Sequence, residues 1–341
     1  MGSVRTVLGD VPAARIGNAM IHEHLLFDIV PPGATGDRGA PIRAEDRWQI
    51  DYRSNEAPAN AHQTEPDVAV AELRAFAEDG GSLIVDQSVA GIHRDAEGLA
   101  RISRESGVHV VAAAGIYTAP FLDPATAAMD ADALAARFIA EVTEGLDGTE
   151  VRAGLIGEIG CSWPLAPVEH RALIAAARAQ QATGAAISVH PGRDAAACGQ
   201  ILDILDGAGA DLSRVILCHM DRTHPDGTGI QALLDRGAAV EWDFFGIEQS
   251  HYWMGEVELP TDLGRLRLIG GFAAHGHADQ LLVSQDICTK TRMRRWGGHG
   301  YGHILRNMRP LMARAGFAED LIRALLRDTP LRYLTLLERP A

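Results

Sequence analysis

Eight short runs of small and β-branched apolar residues recur along this chain, and stretches with helical patterning separate them. This alternation restricts the fold more than any other feature. The runs end near His24, Gln87, Ala114, Glu158, His190, His219, Trp242 and Asp286. Strands that alternate with helices build a parallel sheet with crossover helices, and eight such units close into a barrel. Helical patterns cover residues 131–144, 167–183, 195–206 and 230–236, with Gly184, Gly207 and Gly237 placed as stops. Glycine suits that position because it enters the left-handed conformation without a steric penalty. The expectation is an α/β protein: a (β/α)8 TIM barrel forming a single domain over residues 1–341. Residues 28–64 are rich in Pro, Gly, Asp and Asn and too long for a plain connector. They read as a loop over the first strand, able to contact substrate. After the last strand, 302–315 and 319–337 read as extra C-terminal helices. The second is interrupted at Asp328-Thr329-Pro330, where proline cannot continue the hydrogen-bond ladder.

Composition narrows the partners. The formal net charge of -14 disfavours nucleic acid, because polyanion binding needs a basic surface that releases counterions. A small-molecule substrate is the expected partner, and a homodimer stays open. No apolar stretch approaches the roughly 20 residues of a membrane helix. Residues 1–9 hold no basic segment leading into a long apolar core, so a secretory leader is not expected and a cytoplasmic location is the default. The four cysteines, Cys161, Cys198, Cys218 and Cys288, show no CxxC spacing and read as reduced core thiols.

The chemistry begins with His22 and His24. On a strand, residues two apart point to one face while Glu23 points to the other. Two imidazoles aimed at one spot suggest a metal site, although paired histidines with satisfied ring nitrogens also occur as structure. Further ligand-type residues recur at other strand ends, Glu158, His190, His219 and Asp286. A barrel gathers such ends on one rim. Four imidazoles and two carboxylates could divide between two divalent ions, with one carboxylate bridging and water completing each open position.

These residues sit in motifs that resemble a known family. Val4-Arg5-Thr6-Val7-Leu8-Gly9, Ile21-His22-Glu23-His24-Leu25, Gly157-Glu158-Ile159-Gly160, Val189-His190-Pro191-Gly192, Cys218-His219-Met220-Asp221, Ser284-Gln285-Asp286-Ile287-Cys288 and the run from Gly297 to Leu305 are similar, in order, to the phosphotriesterase-related branch of the amidohydrolase superfamily. The resemblance implies an eight-stranded barrel with a binuclear centre, Zn2+ first, with Mn2+, Co2+ or Fe2+ as alternatives. It implies that His22, His24 and Asp286 bind the more buried ion, that His190 and His219 bind the more exposed one, and that Glu158 bridges them. The family's best-known members carry a carboxylated lysine at the bridging position. Here the only lysine is Lys290, four residues past Asp286, so the bridge resembles that of a glutamate-containing subgroup. This departure counts against paraoxon-type triester hydrolysis.

The function expected from these readings is a hydrolase in which metal-bound hydroxide attacks a lactone or carboxyl ester bearing an anionic or polar group. Asp286 is the expected proton acceptor. N-acyl amides and phosphoesters are the alternative substrates, and a noncatalytic binding barrel is the alternative class. Lys290 and Arg292, in the loop after the eighth strand, are candidates for holding an anionic group, and Tyr117 for lining the pocket. His251, His275, His277, His299 and His303 fall outside the strand-end register and receive no role.

Overall fold

The computed structural model describes residues 2–53, 56–248, 252 and 254–337. Strand β1 (Ser3–Thr6) pairs antiparallel with β2 (Gly9–Pro12), a hairpin that the sequence reading did not separate from the barrel. The barrel strands are β3 (Asn18–Glu23), β6 (Gly81–Asp86), β7 (His109–Ala114), β8 (Leu155–Gly160), β9 (Ile187–His190), β10 (Val215–Leu217), β11 (Ala239–Trp242) and β12 (Leu281–Val283). They lie side by side in chain order, and neighbouring strands pair in parallel. The last strand returns to the first, where the Asp286 N–H donates to the His22 carbonyl at 3.1 Å. The sheet is thereby nearly closed, as expected of a TIM barrel.

Alternation along the strands sorts the core. Ile84, Val110, Ile156, Val189, Leu217, Val240 and Val283 pack outward among the helices. Leu83, Val85, Val111, Leu155, Ile216, Ala239 and Leu282 form a second cluster with Val4, Ala13 and Leu331, which fills the barrel and seals its N-terminal end. Strand β3 breaks this period: Met20 belongs to the outer cluster and Ile21 to the inner one, yet His22 also faces inward. A register shift against β6 between Met20 and Glu23 supplies the change of phase, as an extra residue does in a bulge.

Residues 28–53 and 56–64 form more than a plain loop. Strand β4 (Phe27–Asp28) pairs antiparallel with β5 (His62–Gln63), and a helix covers Arg47–Tyr52. The helix Pro167–Thr183 ends at Gly184, with φ 74°. The next helix, Ala195–Gly207, runs through the glycine read as its stop, and Gly209 takes the left-handed conformation instead, with φ 83°. At the C-terminus, helical paths continue through Pro310 and Pro330. Wider turns with i→i+5 bonding at Ile304–Met308 and Ala324–Asp328 precede them and absorb the amide bond that proline cannot make. Among the described residues no helix is long and apolar enough to cross a membrane.

Candidate metal centre

All six strand-end donors converge inside the mouth of the barrel, and each is at most 8% exposed. The His24 Nε2 lies 3.6 Å from Glu158 Oε1 and 3.2 Å from Asp286 Oδ1. The His22 Nε2 lies 3.6 Å from Glu158 Oε2 and 3.9 Å from Asp286 Oδ1. On the other side of Glu158, its Oε2 is 2.9 Å from His190 Nδ1 and 3.4 Å from His219 Nε2. Donors at about 2.1 Å from one tetrahedral ion stand roughly 3.4 Å apart, so these separations suit metal coordination. Two groups of buried donors, His22 with His24 and His190 with His219, share Glu158.

The tautomers follow from the surrounding residues. Ser88 Oγ donates its hydrogen to the Leu26 carbonyl at 2.8 Å and therefore accepts from His24 Nδ1 at 3.0 Å. The lone pair of His24 is left on Nε2, facing Glu158. Asp243 accepts from His219 Nδ1 at 2.8 Å and from the His219 backbone N–H at 2.9 Å, which leaves the His219 Nε2 lone pair facing the site. Carboxylate partners of this kind orient a ligating histidine and raise its basicity. Both ring nitrogens of buried His22 lack a hydrogen-bond partner; Glu241 and Asp243 stand 3.6 Å from its Nδ1. A fully buried imidazole with two orphaned nitrogens fits a residue whose Nε2 is meant for an ion.

Burial lowers the imidazoles of His22 and His24, but Cys218 and Glu241 around the first and Asp286 and Glu158 around the second raise both above the usual range; protonation favours ligation at His190 and Asp286. Burial drives His190 down to about 4, which leaves a neutral imidazole able to ligate. Burial opposes ionisation of Asp286, but the nearby imidazoles of His24, His22 and His219 hold its carboxyl well below the usual range. His219 and Asp286 both adopt left-handed backbone, with φ 59° and 47°. Non-glycine residues rarely accept that conformation, and it clusters at functional sites. Here it swings each side chain from the strand end back over the barrel axis. Before Glu158, Gly157 is required: a Cβ there would lie 2.0 Å from the Ser188 carbonyl oxygen of the next strand.

Glu23 is not among the donor groups, as alternation implied, but it is a clamp. Its carboxylate accepts from Ser284 Oγ at 2.9 Å, Gln285 N at 2.9 Å, Gln285 Nε2 at 2.6 Å and Ile287 N at 3.0 Å. Burial pushes this carboxyl up to about 7 against the pull of the Ile287 and Gln285 donors. The bonds tie the strand that carries His22 and His24 to the segment that carries Asp286. The glycine-rich motif near residue 300 braces the same place: the Tyr301 hydroxyl donates to the His24 carbonyl at 2.6 Å, and Ile304 N donates to Gln285 Oε1 at 3.1 Å.

A cavity of about 200 Å³ opens beside the outer donors, lined by His190, Tyr117, Arg193 and Cys288 and walled by apolar residues of the long first loop. Tyr117 stands where the sequence placed it, its ring edge-on to His190 with centroids 5.1 Å apart. Lys290 and Arg292 are absent from this lining. Lys290 Nζ lies over the Trp296 ring at 5.4 Å. The Arg292 guanidinium donates to the carbonyls of Asp286 at 2.6 Å, Phe245 at 3.1 Å and Gln285. The expectation that this pair holds substrate is therefore corrected: the cations of the eighth loop stack and brace, because its backbone carbonyls face inward and need donors. Trp242 and Phe245 are buried core, and Phe244 packs 5.4 Å from the His219 ring. His275 and His277 lie before β12, bonded to Gly271 and Gln280, and His303 donates to Asp262 at 2.7 Å. His299 packs on His303, and His251 lies outside the described residues. Sequence reasoning missed Ser88, Asp243, Glu241 and Arg193. Only Asp243 carried a signal, one residue past an apolar strand end.

Comparison with known proteins agrees with this geometry. Residues 2–334 match the model of the phosphotriesterase family. The N-acetyltaurine hydrolases of Homo sapiens and Salmo salar are 37% and 35% identical to the chain, each over 98% of both sequences. The crystal structure of a resiniferatoxin-binding protein from Rhodobacter sphaeroides superposes with a TM-score of 0.91 at 36% identity, over 98% of this chain and 95% of that one. A phosphotriesterase homology protein from Escherichia coli, complexed with phosphate in its active site, gives 0.78 at 26% identity over 94% and 99%. A lactonase from Listeria monocytogenes gives 0.80 at 24% identity over 98% and 100%, a likeness of fold. The chain belongs to the phosphotriesterase family.

Proposed function

We propose that this hydrolase cleaves the amide bond of a small N-acyl compound at a binuclear metal centre, with Zn2+ as the first choice of ion. The observation that carries the reading is the sharing of one buried carboxylate, Glu158, between two sets of imidazoles. His22, His24 and Asp286 would hold the inner ion, His190 and His219 the outer one, and Glu158 both. Such a pair supplies Lewis acidity toward a carbonyl oxygen and lowers the pKa of water. The residues around it handle the protons. Asp286 accepts a proton from the attacking water and delivers it to the departing amine nitrogen as the C–N bond breaks, giving a carboxylic acid and an amine. His24 Nε2, its lone pair toward the site and 3.2 Å from Asp286, would hold the same ion as that carboxylate.

Amide cleavage is placed ahead of lactone or ester cleavage because the N-acetyltaurine hydrolases share 34–37% of residues over 98% of both lengths, whereas the lactonase likeness is one of fold. The cavity of about 200 Å³ is smaller than the roughly 300–1,000 Å³ that receives a drug-sized ligand, which suits a short acyl group. A barrel that binds without turnover is the second reading, favoured by the similarity to the resiniferatoxin-binding protein. The test is a panel of N-acetylated amino acids and aminosulfonates, sugar lactones and paraoxon, offered to Zn2+-loaded protein. Release of free amine from an N-acetyl compound supports the proposal. Turnover of lactones alone contradicts the amide assignment, and no turnover at full metal loading favours the binding barrel.

A further inference from the structure

We infer that Arg193 is the contact that selects substrate, and that the N-acyl compound cleaved here carries a terminal anion on its amine half. The inference rests on the amide reading and adds the end of the molecule that the metal centre does not touch. Arg193 follows His190 by three residues, on the loop leaving β9, and lines the same cavity as His190 and Tyr117. Among the described residues it is the only arginine or lysine in that lining, and none of them there is a carboxylate. Among the described residues its guanidinium touches Met254 Sδ at 3.4 Å and has no carboxylate partner. Other cations near the rim are occupied: Arg292 donates to three carbonyls, and Arg222 donates to the Pro191 carbonyl at 2.8 Å.

The backbone on either side of Arg193 is fixed. A Cβ on Gly192 would lie 2.7 Å from Trp163 Cβ, so this loop is pressed against its neighbour. Asp194, whose carboxylate could have neutralised Arg193, instead caps the following helix by accepting from Ala196 N at 2.8 Å. An exposed arginine at the mouth of a small cavity, its backbone fixed and its guanidinium without a carboxylate among the described residues, offers two parallel hydrogen bonds to a planar carboxylate or to two oxygens of a sulfonate. Apolar residues of the cavity, among them Ile29, Pro58 and Phe121, suit the short carbon chain between that anion and the amide.

The test measures binding, so it does not depend on turnover. Methyl ketones with CH2 in place of the amide N–H, ending in a sulfonate, a carboxylate or a neutral alcohol, are titrated calorimetrically into Zn2+-loaded protein. The parent should bind the anionic ketones about 10- to 100-fold more tightly than the alcohol, the span expected of a charge-assisted two-bond contact. Arg193→Ala should erase that preference while leaving the alcohol unchanged, and Arg193→Lys should keep part of it. The ratio between the two anionic ketones names the preferred headgroup. Equal affinity of the parent for charged and neutral ketones, or an undiminished preference in Arg193→Ala, overturns the inference. A preference that depends on Arg193 in a protein that releases no amine from any N-acyl compound would leave the anion contact standing and refute the amide reading.

Discussion

Replacing Glu23 with alanine should destabilise the protein and loosen the metal centre together. The side chain is fully buried, and its loss strands four donors, two of which are backbone N–H groups, Gln285 and Ile287, that cannot turn elsewhere. An unsatisfied buried donor costs roughly 1–3 kcal/mol, so the two amides alone amount to about 4 kcal/mol. At about 2–4 °C per kcal/mol for a large domain, the melting temperature should fall by roughly 10 °C. Glu23→Gln keeps the oxygen that serves Ser284 and Gln285 and turns an NH2 toward the Ile287 N–H, so about half the effect is expected. Melting followed by circular dichroism on metal-free protein isolates this term, since a bound ion would add its own stabilisation. Competition with a zinc chelator then reads the second consequence. His22 and His24 flank Glu23, and Gln285 and Ile287 flank Asp286, so zinc affinity should weaken about 10-fold or more, as losses of outer partners do. An alanine variant melting within about 2 °C of the parent with unchanged zinc affinity would refute the clamp, since the cited bond energies could not then apply.

Other outcomes follow from neighbouring residues. Asp286→Asn should lower kcat by about 10²–10⁴-fold, the range for loss of a general acid–base, while inductively coupled plasma analysis still finds most of the metal; full turnover would remove Asp286 from proton transfer. Asp243→Asn should weaken zinc binding about 10–100-fold, because Asp243 holds His219 at two points, and an unchanged chelator titration would contradict that role. Arg265 is buried between Asp221 and Asp262, donating to Asp262 at 2.7 Å and to Asp221. Arg265→Met should therefore cost about 3–5 kcal/mol in denaturant unfolding by leaving the buried Asp221 carboxylate without a cationic partner and Asp262 with His303 alone; a loss under about 1 kcal/mol would mean the triad is dispensable.

The donor set could be read from sequence because each member closes an apolar run, and a barrel turns that one-dimensional register into proximity. His22 with His24 gave the face, and Glu158, His190, His219 and Asp286 repeated the position. What holds these residues could not be read in the same way. Glu23 finds its partners 261 to 264 residues away, and Ser88 reaches His24 across 64, so no local pattern connects them. The change of phase in β3 is set by pairing with β6. Lys290 and Arg292 looked like substrate contacts because charge clusters in sequence say nothing about which carbonyls lie beneath them. Arg193, isolated and surrounded by ordinary loop residues, carried no such signal. The helix stop misplaced from Gly209 to Gly207 reflects one local tendency shared by two nearby glycines, a choice made by packing.

Anomalous diffraction from crystals of the Zn2+-loaded protein tests the shared-carboxylate centre most directly. Two zinc peaks should appear in each chain, one among His22, His24 and Asp286 and one between His190 and His219, with Glu158 bonded to both. A single peak, or a pair that leaves Glu158 uncoordinated, would contradict it.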